Sequence, residues 1–305
     1  MKTQSIPVRF LAALCVYAAT QLSAEAGLPT IELITSFIIP EPGVDTAANG
    51  ISNDGSIVGT SDLSGRRLNV QGFVRFRNGD YSVIIDPSEG DHYTVADAIN
   101  NSGLIAGYYD TGPSLRGFFL SGDTYTDFTL PGACATKVTA LNDAGDFAGQ
   151  VYFRENSECN NVQSFVSIAG NVTYFTIPGA SATYAHGMNN LGQVVGSYSD
   201  GAVHAFLRDV DGTLTFPIDY PGAVATSLIG INDKGWMTGY YDDTEGFFHA
   251  LFLESPTEFV VYDVGQSHFT FFGGINNRGF ICGTYADDSG VQNGFLARVR
   301  RSSAK

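Results

Sequence analysis

Basic residues are scarce in this chain: 16 Lys and Arg stand against 31 Asp and Glu among 305 residues, a formal net charge of −15 at pH 7. A surplus of that sign repels phosphate backbones and anionic lipid surfaces, so nucleic acid is excluded as an expected partner. Long apolar runs are missing too. The stretch Phe10–Ala19 is too short to span a bilayer and no later segment is apolar enough, so no membrane span is expected. The five His (His92, His186, His204, His249, His268) fall at no metal-ligand spacing, and no Gly-x-Ser-x-Gly elbow, P-loop or dinucleotide fingerprint occurs in a strand-to-helix context.

The N-terminus carries Lys2 and Arg9, the apolar stretch, and then Ala24-Glu25-Ala26. This is the pattern of a secretory signal peptide over residues 1–26, with Leu14 before Cys15 arguing against a lipid anchor. Residues 27–305 then form one mature domain, secreted or periplasmic. With 44% hydrophobic residues and 36 Gly, that domain reads as globular and turn-rich.

One phrase recurs six times, at Ile51–Gly59, Ile99–Gly107, Leu141–Gly149, Met188–Gly196, Ile231–Gly239 and Ile275–Gly283. Its core is Asn-Asn/Asp-x-Gly, in which Asn and Asp bond their own backbone and Gly supplies a positive φ, so each copy predicts a hairpin turn. The period of 42 to 48 residues is that of solenoids and propellers. Each period holds four strand-like runs, most cleanly Thr183–Asn189, Gln193–Ser199, Val203–Asp209 and Leu214–Tyr220. A small residue before an aromatic opens the third run (Gly72-Phe73, Gly117-Phe118, Ser164-Phe165, Ala205-Phe206, Gly294-Phe295), and Pro-Gly-Ala follows the fourth at residues 131, 178 and 221. Four strands per repeat predict an all-β, six-bladed β-propeller. The last repeat stops after its third run, whereas Thr30–Ile39 is a spare strand at the front, so the N-terminal strand is expected to complete the last blade.

These residues resemble the HAF-repeat proteins, a family of secreted bacterial repeat proteins named for a recurring His-Ala-Phe. The triplet stands here as His204-Ala205-Phe206, with His249-Ala250 as a shifted relative, and the resemblance covers the whole mature chain. It implies an extracellular propeller without assigned catalytic residues. The recurrent Asp-box signature of sialidase-like propellers is absent.

The loops between second and third runs carry Asp62, Asp110, Asp200, Asp242, Asp243 and Asp287, preceded in four copies by Tyr109, Tyr198, Tyr241 and Tyr285. Carboxylates beside aromatic faces suit Ca²⁺ through hard oxygen ligands, or a glycan through stacking and hydrogen bonds; a solvated rim accounts for the same residues. The expectation is a monomeric, non-catalytic binding protein, its partner a glycan or a cell-envelope protein. The alternative is a polysaccharide hydrolase or lyase using carboxylates of that face. His186 falls on an expected innermost strand near the channel. Cys134 and Cys159 fall on one face of the third blade and are expected to form a disulfide, with Cys282 a buried free thiol.

Overall fold

The computed structural model describes residues 28–39, 44–62, 70–85 and 93–301. The expected leader, the Pro42-Gly43 turn and His92 lie outside them. No helix among the described residues is long and apolar enough to cross a membrane.

Strand β1 (Thr30–Phe37) precedes six groups that follow one another in chain order. Blade 1 is β2 (Asp45–Ile51), β3 (Ile57–Asp62), β4 (Val70–Arg75) and β5 (Tyr81–Ile84), and blade 2 is β6 (Thr94–Ile99), β7 (Ile105–Asp110), β8 (Leu115–Ser121) and β9 (Thr124–Phe128). Blade 3 is β10 (Ala135–Leu141), β11 (Phe147–Glu155), β12 (Glu158–Ile168) and β13 (Asn171–Phe175). Blade 4 is β14 (Ala182–Met188), β15 (Val194–Ser199), β16 (Val203–Arg208) and β17 (Leu214–Ile218). Blade 5 is β18 (Ala225–Ile231), β19 (Met237–Asp242), β20 (Phe248–Ser255) and β21 (Glu258–Tyr262), and blade 6 begins with β22 (Thr270–Ile275), β23 (Phe280–Ala286) and β24 (Gln292–Arg300). Each is an antiparallel meander, and one parallel pair, Val203 with Ala225, links the sheets of blades 4 and 5. As the chain ends predict, β1 supplies the fourth strand of blade 6, running antiparallel to β24 from Thr30 opposite Arg300 to Phe37 opposite Gly294.

The recurring residues have packing reasons. The second Gly of the phrase lies where the first and second strands nearly touch: a Cβ on Gly59 would stand 1.9 Å from the Ala47 carbonyl oxygen and 2.9 Å from the Phe73 ring. The same pair recurs as Gly107 with Phe118, Gly149 with Phe165, Gly196 with Phe206 and Gly283 with Phe295. All five rings are fully buried. The glycine therefore admits the third-strand aromatic that anchors each blade, and blade 5 uses Leu251 opposite Gly239.

The phrase itself ties the blades together. Its first Asn caps its own turn: Asn189 Oδ1 accepts the N–H of Leu191 and of Gln193, while Nδ2 donates to Asn232 O in the next blade at 3.0 Å. Its second residue accepts a backbone N–H from the preceding blade. Asn53 N donates to Asn101 Oδ1 (2.7 Å), Asn101 N to Asp143 (2.9 Å), Asp143 N to Asn190 (2.8 Å), Asn190 N to Asp233 (2.8 Å), Asp233 N to Asn277 (2.8 Å) and Asn277 N to Asn53 (2.9 Å). Six bonds close a circle around the axis at one end of the barrel.

Candidate functional site

Each innermost strand breaks register with its neighbour near its end. The residues skipped in pairing are Asn49, Asp97, Thr139, His186, Ile229 and, in blade 6, Gly273 with Gly274. A bulge re-aims its extra side chain, and all of these residues line one cavity of about 600 Å³ on the axis. Below it, Ile51, Ile99, Leu141, Met188, Ile231 and Ile275 divide the cavity from a smaller space of about 70 Å³ lined by the Asn/Asp circle. The result is a cup with an apolar floor.

The cup is two-sided. Blades 5 and 6 give an aromatic wall, in which Phe248 meets Tyr240 at 5.6 Å and Phe269 at 5.2 Å, and Phe271 meets Tyr240 at 6.0 Å and Phe269 at 5.4 Å between ring centroids. Blades 1 to 4 give a polar wall. Lys137 Nζ lies 4.6 Å from the Tyr108 ring centre and 5.6 Å from that of Tyr152, a cation held between two π faces. Asn49 Nδ2 donates to Asp97 Oδ1 (3.2 Å), Tyr152 OH to Gln150 Oε1 (3.1 Å), and His186 Nε2 lies 3.0 Å from Ser197 Oγ.

Burial governs the charges. It pushes the Asp97 carboxyl up to about 7, against the opposing pull of Lys137 and the Asn49 hydrogen bond. It also lowers Lys137, which the charge of Asp97 partly restores. His186 is pushed down to about 4, by burial first and by the Lys137 charge second, so it is neutral at pH 7. A cluster of displaced titrations inside a concave site marks a functional candidate.

The residues singled out from the sequence lie elsewhere, mostly serving their own loops. Asp110 Oδ1 accepts Gly112 N, Asp243 Oδ1 accepts the N–H of Glu245 and Phe247, and Asp287 Oδ1 accepts those of Ser289 and Val291. Asp62 ends β3 opposite Asp45, and Asp242 ends β19 opposite Ala225. The tyrosines turn into the blades: Tyr109 donates to Asp127 Oδ1 at 2.8 Å, Tyr198 packs edge-on against Phe216, Tyr285 packs on Phe295, and Tyr241 stacks on Tyr220 at 4.1 Å. No group of three or more His, Cys, Asp or Glu among the described residues is arranged to hold a metal ion. Cys134 and Cys159 are disulfide-bonded, and Cys282 is a buried free thiol.

The histidine of the His-Ala-Phe triplet is a clamp. His204 sits between Asp219 (2.7 Å) and Asp200 (3.3 Å), and His249 between Asp263 (2.9 Å) and Asp243 (3.2 Å), each joining a loop after the second strand to the end of the fourth.

Of the cup residues, sequence reading reached only His186. The signal for the others was available: Asp97 and Lys137 are charges at inward positions of innermost strands that are otherwise small, apolar or uncharged.

The chain is a six-bladed β-propeller. No protein-family model matches it, and no curated protein matches it. Among solved structures it is similar to TolB from Acinetobacter baumannii (TM-score 0.52, 10% identity, 98% of this chain and 73% of that one). It is also similar to a mutant Aleuria aurantia lectin in complex with Fucα1-6GlcNAc (TM-score 0.51, 11% identity, 89% of this chain and 99% of that one). At such identities the likeness is one of fold, and propellers host binding and catalysis alike.

Proposed function

We propose that this chain is an extracytoplasmic, non-catalytic binding protein of the HAF-repeat kind, and that its axial cup takes a small glycan. The observation that carries this reading is the cup itself, a 600 Å³ cavity with an aromatic wall facing a polar one. Sugars present apolar C–H faces and hydroxyls together, and a site with ring faces on one side and hydrogen-bonding groups on the other matches both. The leader-like N-terminus and the Cys134–Cys159 disulfide support an oxidising compartment outside the cytoplasm. Hydrolysis through paired carboxylates finds less support, because Asp97 is the one carboxylate among the described residues lining the cup.

The test is a glycan array probed with the protein and with Ile229→Trp, which places an indole in the cup. Binding by the wild type that the variant loses supports the cup as the site. Equal binding by both moves the site elsewhere, and no binding by either removes the glycan reading.

A further inference from the structure

Among the described residues lining the cup, Lys137 is the single cation. Its ammonium is held between the rings of Tyr108 and Tyr152 and makes neither a hydrogen bond nor an ion pair with another described residue. An ammonium carries three donors, and rings satisfy none of them through an oxygen lone pair. The charge of Asp97 across the wall favours the ammonium, yet the two form no ion pair, so the donors of Nζ stay open. The rings instead position Nζ at the cup wall and leave its donors to whatever enters. In a chain with a net charge of −15, this inward-facing lysine is a local attraction for anions.

We infer that the cup selects a glycan bearing a carboxylate, such as a hexuronate, with the carboxylate on Lys137 and the sugar ring against Tyr240, Phe248 and Phe271. This rests on the cup being the glycan site. The nearest obstacle to an anion is Asp97. Facing it are Lys137 of β10, Tyr108 of β7, Asn49 of β2 and, farther round the wall, Tyr152 of β11 with Tyr184 and His186 of β14. His186 is neutral at pH 7 and burial pushes the phenols of Tyr108 and Tyr152 up, so among these groups it is Asp97 that changes charge near neutrality. Its carboxyl titrates at about 7. An anionic ligand that binds only beside the protonated acid therefore gains about tenfold in affinity from pH 8 to pH 6.

The experiment is calorimetry of the full mature protein with D-glucuronate and with D-glucose at pH 6 and pH 8, repeated with K137Q, K137R and D97N. We expect D-glucuronate to bind at least tenfold more tightly than D-glucose at pH 6, K137Q to abolish that preference, K137R to retain most of it, and D97N to bind equally at both pH values. Melting curves confirm that each variant is folded. Equal binding of the two sugars, or a glucuronate preference that survives in folded K137Q, overturns the inference while leaving the cup as a site for neutral glycans. Binding of neither sugar also overturns it, and the Ile229→Trp array comparison then decides the cup separately.

Discussion

Asn277 donates its backbone N–H to Oδ1 of Asn53 across 2.9 Å, and through that bond the last blade is tied to the first. The two residues are 224 positions apart in sequence, yet each occupies the same place in its own hairpin as Asn101, Asp143, Asn190 and Asp233 do in theirs. A phrase that reads locally as a turn is thus also the means by which the ring closes.

Asp143 accepts from Asn101 N, Asn101 Nδ2 and Asn190 Nδ2, whereas Asn53 takes a single bond from its neighbour Asn277 N. Asn53→Ala is expected to cost about 1 kcal/mol and Asp143→Ala about 2 kcal/mol in urea unfolding. Losses no larger than those of exposed substitutions away from the circle would remove its structural role.

Deleting residues 27–40 uncovers the hydrogen-bonding edge of β24, from Gly294 to Arg300. An open edge of that length pairs with other chains. The truncated protein is expected to melt lower and to associate, as read by calorimetry and light scattering; a monomer with an unchanged melting temperature would contradict closure by β1.

The Cys134–Cys159 disulfide closes a loop with a sequence separation of 25. On loop-closure grounds it contributes about 3 to 4 kcal/mol. Reduction, or Cys159→Ser, is expected to lower the melting temperature by roughly 10 °C, and peptide mapping should find Cys282 unbridged.

Asp97 holds its proton more tightly in the folded chain, at about 7, than in the unfolded one, where a carboxyl titrates near 3.8. The folded state therefore binds the extra proton between these values, and stability falls as pH rises through that window. His186 acts in the opposite sense: held at about 4 when folded, it takes up its proton preferentially on unfolding, and stability falls as pH drops from about 6.5. Asp97→Asn removes the first effect alone, so the variant should gain stability over the wild type at pH 8 and little at pH 4. An equal difference at both would show that Asp97 titrates normally.

The blades, their order and the β1 closure were legible because hairpin chemistry and strand alternation are local and were repeated six times. The cup was not. The layer of its wall above the apolar floor is made by residues that break the alternation, since Asp97 and His186 reach the axis through bulges that period-two reading does not anticipate. The loop acids recur from blade to blade, but Asp243 and Asp287 recur as caps of their own turns. The His-Ala-Phe triplet was visible as a word, and its sense came only when Phe206 was found against Gly196 and His204 between Asp200 and Asp219.

Crystals soaked with the best glycan-array hit decide whether the axial cup is the ligand site. Ligand density is expected inside the cup, in contact with Lys137 and the Tyr240–Phe248 wall. Density confined to the loops of Asp110, Asp200, Asp243 and Asp287, with the cup holding only water, would contradict it.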